Sequence, residues 1–361
     1  MRSSRRNFTK MLGATLATTA VIGAPRIVRA EPFKAGFVYV GPVEDFGWTH
    51  QHDVGRKAVE EALGDKVATS FVESVKEGAD AERVISELAS SHGIVFTTSF
   101  GYMNPTVKVA EQFPDVKFEH ATGYKRTANL TTYNARFYEG RYIQGVIAGM
   151  ISKSGIVGYI GSIPIPEVVM GMNSFMQGLR SVRADGKIKI VWINGWYDPG
   201  KESDAAKAMI DQGADMIAQH TDSAAPLQVA EQRGVQGFGQ ASDMIQFAPK
   251  AQLTSSIDNW GPYYIDRVKA AMEGTWKSED VWGGLAAGML KMASYTNMPD
   301  DVAAAAQAAE NGIKDGSIAI FKGPIKDQDG NEKVADGAVL SDGDILGMNW
   351  LAEGIEGKLP S

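Results

Sequence analysis

Aromatic, acidic and amide side chains recur immediately after short apolar runs along this chain. Phe46 and Trp48 follow the run Ala35 to Val40, and Tyr102 and Asn104 follow Gly93 to Thr97. Trp196 and Asp198 come after Lys189 to Asn194, and His220, Thr221 and Asp222 after Met216 to Gln219. Gln240 and Asp243 then follow Gln236 to Gly239, and Asp258 and Trp260 follow Gln252 to Ile257. Taken singly, each serves equally well as a cap, a turn acid or a packed aromatic. Asn104, for example, stands just before Pro105, as a helix N-cap ahead of a proline at the first helical position would. Taken together they describe a binding chemistry. Indole faces stack on flat rings, roughly 1–3 kcal/mol per base, and a carboxylate in a dry cleft rejects ligands that lack a matching N–H. The combination suits a neutral or weakly cationic flat heterocycle. A phosphate would call instead for a glycine-rich nest and basic groups.

Catalytic constellations are not legible. The acids are scattered over separate loops without metal-site spacing, and His50 and His52, two apart, do not share a helix face. There is no G-x-S-x-G elbow or P-loop, and Gly237-x-Gly239-x-x-Ser242 lacks the third glycine of a dinucleotide fingerprint. The expectation is a binding protein with no catalytic residue, no metal and no cofactor.

Loops of this kind need strands and helices behind them. Ala35 to Val40 reads as a buried strand closed by Gly41-Pro42, and the following helix spaces Val54, Ala58 and Leu63 as a buried face. The opening unit is thus strand, loop, helix, and in open α/β sheets ligands bind beyond the carboxyl ends of the strands. Strand and helix alternate through Val67 to Val72, Ala79 to Ser90, Gly93 to Thr97, Asn104 to Gln112 and Val116 to His120. The series restarts at a helix over Tyr138 to Ile151 and continues to a strand predicted over 281–290. Regular alternation implies α/β lobes, each a doubly wound parallel sheet. Predicted divisions are 31–135 plus about 256–278 for the first lobe, 136–255 plus about 279–295 for the second, and an extension over 296–361. In the extension, Ile318 to Pro324 reads as a strand, and Asp329-Gly330 as a hairpin turn. A cleft between such lobes is a favoured place for a small-molecule pocket.

Residues 1–30 read as an export signal: paired arginines in SRRNFTK, a modest apolar stretch from Met11 to Ala24, and Val28-Arg29-Ala30 before Glu31. The arginine pair with Phe8 is similar to the twin-arginine type. Removing the signal takes away six basic residues and no acid, moving the formal charge from −7 to −13. A chain this acidic has no electrostatic footprint for nucleic acid or an anionic membrane. The absence of cysteine excludes a lipid-modified N-terminal Cys. The expected location is therefore the periplasm, free of a lipid anchor, and the expected state a monomer.

With these residues assembled, the chain resembles the BMP (basic membrane protein) family of ABC-transporter substrate-binding proteins. That resemblance implies a type I periplasmic-binding-protein fold, a purine or nucleoside ligand, an ABC permease in the inner membrane as partner, and closure about a hinge. The family's first loop, D-K-S-F-N, corresponds to Asp45-Phe46-Gly47-Trp48-Thr49, and its acid before the third helix to Asn104. Its stacking Phe in the second lobe falls near Trp196, its D-S-D-Q at Ala241-Ser242-Asp243-Met244, and its Lys after the T-S strand at Asp258. The departures cluster where a ribose would be held and favour a free base, adenine first. In that reading Trp48 and Trp196 sandwich the ring and Phe46 makes an edge or supporting contact. Asp222, Asp243 or Asp258 accept N–H bonds, and Asn104 and Gln240 read the remaining edge. The alternatives are a purine nucleoside, a sugar ligand, or a periplasmic nucleoside hydrolase.

Overall fold

The structure, a computed structural model, describes residues 31–43 and 46–360. The export signal and Asp45 lie outside the described residues.

The first lobe opens with β1 (Phe33–Val38), α1 (Trp48–Leu63), β2 (Val67–Val72), α2 (Ala79–Ala89), β3 (Ile94–Thr97), α3 (Met103–Gln112), β4 (Lys117–Ala121) and β5 (Leu130–Ala135). The second runs through α4 (Phe137–Ile151), β6 (Ile156–Gly161), α5 (Pro166–Val182), β7 (Lys187–Trp192), α6 (Pro199–Asp211) and β8 (Met216–Gln219). It continues with α7 (Ala225–Arg233), β9 (Gln236–Gly239) and β10 (Gln252–Asp258). The chain then returns to the first lobe as α8 (Trp260–Glu273) and β11 (Asp280–Gly283), and crosses again to β12 (Leu290–Met292).

Both sheets are parallel except for β12, which runs antiparallel to β10. The orders are β2-β1-β3-β4-β5-β11 and β7-β6-β8-β9-β10-β12, so each sheet reverses direction beside its first strand. Strands such as β3 are buried on both faces, as expected where helices cover a parallel sheet. This α/β architecture is the one the alternating pattern predicts. The crossings lie side by side: the Arg136 amide bonds the Gly283 carbonyl (2.8 Å), and the Asn259 amide the Met289 carbonyl (2.9 Å).

The structure differs from the sequence reading in places. Residues 281–290 are not one strand. Asp280–Gly283 pairs with β5 and extends the first sheet, so it does not join the second lobe as the predicted 279–295 segment did. Glycines at 283, 284 and 288 break the run. Val54 is 45% exposed, and α1 instead buries Thr49, Gln51, His52, Asp53, Gly55, Arg56 and Val59. This face is polar because it carries its own partners: Arg56 Nε bonds Asp53 (2.6 Å), and the His52 ring stacks on Trp260 of α8.

After β12, α9 (Asp300–Lys314) packs on α4. Ile318 to Pro324 is irregular. The strand pair is β13 (Ile325–Lys326) with β14 (Glu332–Val334), joined through the turn at Asp329-Gly330. A short helix, α10 (Asp342–Leu346), lies against α5, and β15 (Ile355–Glu356) adds to the second sheet beside β7. Helices α4 and α5 cross so closely that a Cβ at Gly145 would stand 2.1 Å from the Phe175 carbonyl oxygen, and one at Gly178 2.0 Å from that of Tyr142.

Candidate ligand site

A narrow slot opens between the lobes at the carboxyl ends of the strands, where the strand order of each sheet reverses. From the first lobe come Val40 and Trp48 beyond β1, Ser99 and Phe100 beyond β3, and Thr122 beyond β4. From the second come Glu167 in the first turn of α5, Trp196 beyond β7, His220 and Asp222 beyond β8, and Gln240 beyond β9. The slot is narrow, with a cavity volume of about 30 Å³. A wider vestibule of about 580 Å³ shares Phe100, Thr122 and Glu167 with the slot and adds Arg126, Arg136 and Trp282.

The lobes are latched together at its edge. The Gly47 amide donates to Ser242 Oγ (2.5 Å), and the Trp48 amide donates to Asp222 Oδ1 (3.3 Å). Gly47 has φ 113°, and a Cβ there would stand 2.5 Å from the Asp222 carbonyl oxygen, so only glycine lets the loop come this near. Trp48 is aimed by its ring N–H, which donates to the Thr98 carbonyl (2.5 Å), and by edge contacts with His52, Phe137 and Trp260. On the other side the Asp222 amide bonds the Trp196 carbonyl (3.0 Å), tying the loops after β7 and β8 together. Beyond β9, the Ser242 amide bonds the Gln240 carbonyl (2.6 Å) around Ala241, whose φ is 57°. A hydrogen bond between residues two apart around a positive φ is a γ-turn, a strained form held where the surroundings over-determine it. It turns Gln240 toward the slot while Ser242 reaches Gly47.

Most of the slot's charge chemistry is buried in the second lobe. Burial, reinforced by the nearby Glu202 carboxylate, pushes the Asp222 carboxyl up to about 8 against the opposing bond from Trp48. In its protonated form it has an O–H to donate and a carbonyl oxygen to accept. Asp258 is driven well above the usual carboxylate range by burial and then by the charges of Glu167 and Asp222, with Arg141 opposing. His220 Nε2 stands 3.6 Å from Glu167 Oε1, yet burial lowers its basicity, so the ring is neutral. Several buried polar atoms near the slot, Trp196 Nε1, His220 Nδ1 and Thr221 Oγ1, make no hydrogen bond among the described residues. Among those residues no group of three His, Asp or Glu is arranged to hold a metal ion.

Comparison with known proteins fits this geometry. Residues 33–329 match the family model described as Bmp, ABC transporter substrate-binding protein PnrA-like. The chain belongs to this family. It is 59% identical, over 97% of its length and all of the relative's, to a purine-binding protein of Brucella abortus. It is 34% identical, over 92% of this chain and 82% of the relative, to a Haloferax volcanii protein provisionally named an ABC transporter glucose-binding protein. Among solved structures, an ABC transporter solute-binding protein of Aeropyrum pernix superposes with a TM-score of 0.68 at 18% identity, covering 82% of this chain and 93% of that one. The Bmp chain is thus a substrate-binding protein of the type that serves an ABC permease. No helix among the described residues is long and apolar enough to cross a membrane.

Of the residues singled out from sequence, Trp48, Trp196, Asp222 and Gln240 line one slot. The others stand elsewhere. Phe46 points away, stacked on His50 (4.4 Å) and edge-on to Phe247 (5.0 Å), so it fastens the first-lobe loop to the second lobe's core. Asn104 is exposed and accepts from Lys125 Nζ (2.8 Å). It is not a cap, because a 3-10 turn at Phe100–Tyr102 feeds α3 directly from Met103. Asp243 is occupied within its own loop, accepting from the Ile245 amide (3.1 Å) and Gln252 Nε2 (2.7 Å). Asp258 lies at a crossing and lines a separate hollow between α1 and α8. Sequence reasoning missed Glu167, Ser99, Phe100, Thr122 and, behind them, Arg141. The only signal for Arg141 was a lone cation in a largely apolar helix.

Proposed function

We propose that this Bmp protein is the periplasmic solute-binding component of an ABC importer and takes a free purine base, adenine first, flat between Trp48 and Trp196. The observation that carries the reading is the slot itself, lined by one tryptophan from each lobe together with Asp222 and Gln240. Protonated Asp222 offers a donor and an acceptor side by side, the pattern that complements an amino N–H next to a ring nitrogen. The Brucella abortus relative, purine-binding by name, supports the ligand class. Closure follows from the same contacts, since a ring resting on one indole favours the state that brings up the other. We place export through the twin-arginine route, release without a lipid anchor, and action as a monomer in the same proposal.

One observation favours a second reading. The vestibule joins the slot at Phe100, Thr122 and Glu167 and has room for a ribose, which a nucleoside would project there. Calorimetry with adenine, guanine, hypoxanthine, adenosine, guanosine and glucose separates the readings. Adenine binding most tightly upholds the free-base proposal. A nucleoside binding more tightly than every base moves the assignment to the nucleoside class, and glucose alone binding overturns both. Export is tested by the location of the tagged protein in cells lacking the twin-arginine translocase, where it should stay in the cytoplasm.

A further inference from the structure

Behind the slot, Arg141 of α4 is 1% exposed, and among the described residues no carboxylate lies within ion-pair distance of it. Its guanidinium is hydrogen-bonded by neutral groups, while Nε makes no hydrogen bond among the described residues and the Asp258 carboxyl lies within electrostatic reach. Nη1 donates to Gln144 Oε1 (3.0 Å), Nη2 donates to Gln240 Oε1, and the group sits 6.0 Å from the centroid of the Tyr159 ring. A guanidinium has five donors and no acceptor. Either amide turned over would set N–H against N–H in a dry interior, leaving buried donors unpaired. Gln144 obeys this rule: with its oxygen on Arg141, its Nε2 donates to Ser256 Oγ (3.3 Å). Gln240 obeys it as well, but its Nε2 has no partner among the described residues, and the residue lines the slot.

We infer that Arg141 is a positioning residue that fixes the Gln240 carboxamide with its NH₂ toward the slot, so that the ligand must present a hydrogen-bond acceptor there. This rests on the purine reading and narrows it. The acceptor is a ring nitrogen, and Gln240 discriminates between purines and their carbon-substituted isosteres. The γ-turn at Ala241 fixes the backbone from which the amide extends, so Gln240 has little freedom to reach a different ligand atom.

The test pairs ligand and protein changes. Calorimetry with adenine and its 1-deaza, 3-deaza and 7-deaza analogues, each lacking one ring nitrogen, should find one analogue bound about tenfold or more weakly by the unaltered protein. In Gln240→Leu and Arg141→Met that gap should close to within about threefold, whereas Arg141→Lys, which keeps a donor on Gln240 Oε1, should retain part of it. A merely structural Arg141 would weaken all ligands alike and leave the gap intact. Should Arg141→Met not fold, Gln240→Glu makes the same test, because a carboxylate paired with Arg141 has no N–H to offer. The inference is overturned if no analogue shows a gap, or if the gap persists in these variants. Failure of adenine itself to bind is a different outcome, and it removes the purine reading along with the inference.

Discussion

The two walls of the slot are built from different materials. The first lobe contributes Val40, Trp48, Ser99, Phe100 and Thr122, without an ionisable side chain among them. The second contributes Glu167, His220, Asp222 and Gln240 beside Trp196, with Arg141 and Asp258 behind. The contrast assigns the lobes different work. On the purine reading proposed above, a ligand satisfies its polar edge mainly on the second lobe, while the first supplies an uncharged face of aromatic and hydroxyl side chains that excludes water. On that reading binding begins on the second lobe, and closure adds the Trp48 indole and the latch at Gly47.

Variants on each wall sharpen or break that contrast, the largest effect first. Asp222→Ala removes the ligand's polar partner and strands the Trp48 amide, so adenine affinity should fall by about 100-fold in calorimetry, the upper end for an unpaired buried group. Trp48→Ala should cost about 10- to 100-fold, a stacking loss of roughly 1–3 kcal/mol. Its signature should be faster release with near-normal association, because the lid and not the docking surface is lost. If Trp48→Ala instead slows association as much as Asp222→Ala does, the division of labour is wrong. Phe46→Ala should weaken binding by less than about tenfold and shift the ligand-free protein toward an open form in small-angle scattering, since it loosens only the latch. Asn104→Ala should change affinity by no more than the roughly 0.5 kcal/mol of an ordinary surface change.

Acidity offers a separate handle on the second wall. Folding raises the Asp222 carboxyl from its ordinary 3.8 to about 8, so between those values the folded protein binds a proton that the unfolded chain has released. The contribution of Asp222 to stability is therefore greatest below pH 3.8 and is lost as pH rises toward 8. Urea melts from pH 5 to 8 should show a flatter slope for Asp222→Asn than for the unaltered protein. Adenine affinity should hold up to about pH 7 and decline above 8, where the O–H is lost, and Asp222→Asn should remove that decline.

Much of this was legible in the sequence because loops after strands have a fixed address in a doubly wound sheet. Trp48, Trp196, Asp222 and Gln240, singled out by residue type, by position after strands and by the family resemblance, all line one slot. What escaped depends on the direction of a side chain. Phe46 is two residues from Trp48, yet it faces the second lobe's core. Arg141 and Glu167 stand on helices whose apolar patterns read as packing. The exposed Val54 and the buried Asp53 and Arg56 invert the expected face of α1, since a polar pair that satisfies itself can be buried as readily as an aliphatic one.

The most direct measurement is a crystal structure of the protein with whatever small molecule it carries from cells. A purine ring should lie between the indoles of Trp48 and Trp196, with a ring nitrogen against Gln240 Nε2 and its edge on Asp222. A non-aromatic ligand in the slot, or a purine seated in the vestibule away from both tryptophans, would contradict this arrangement.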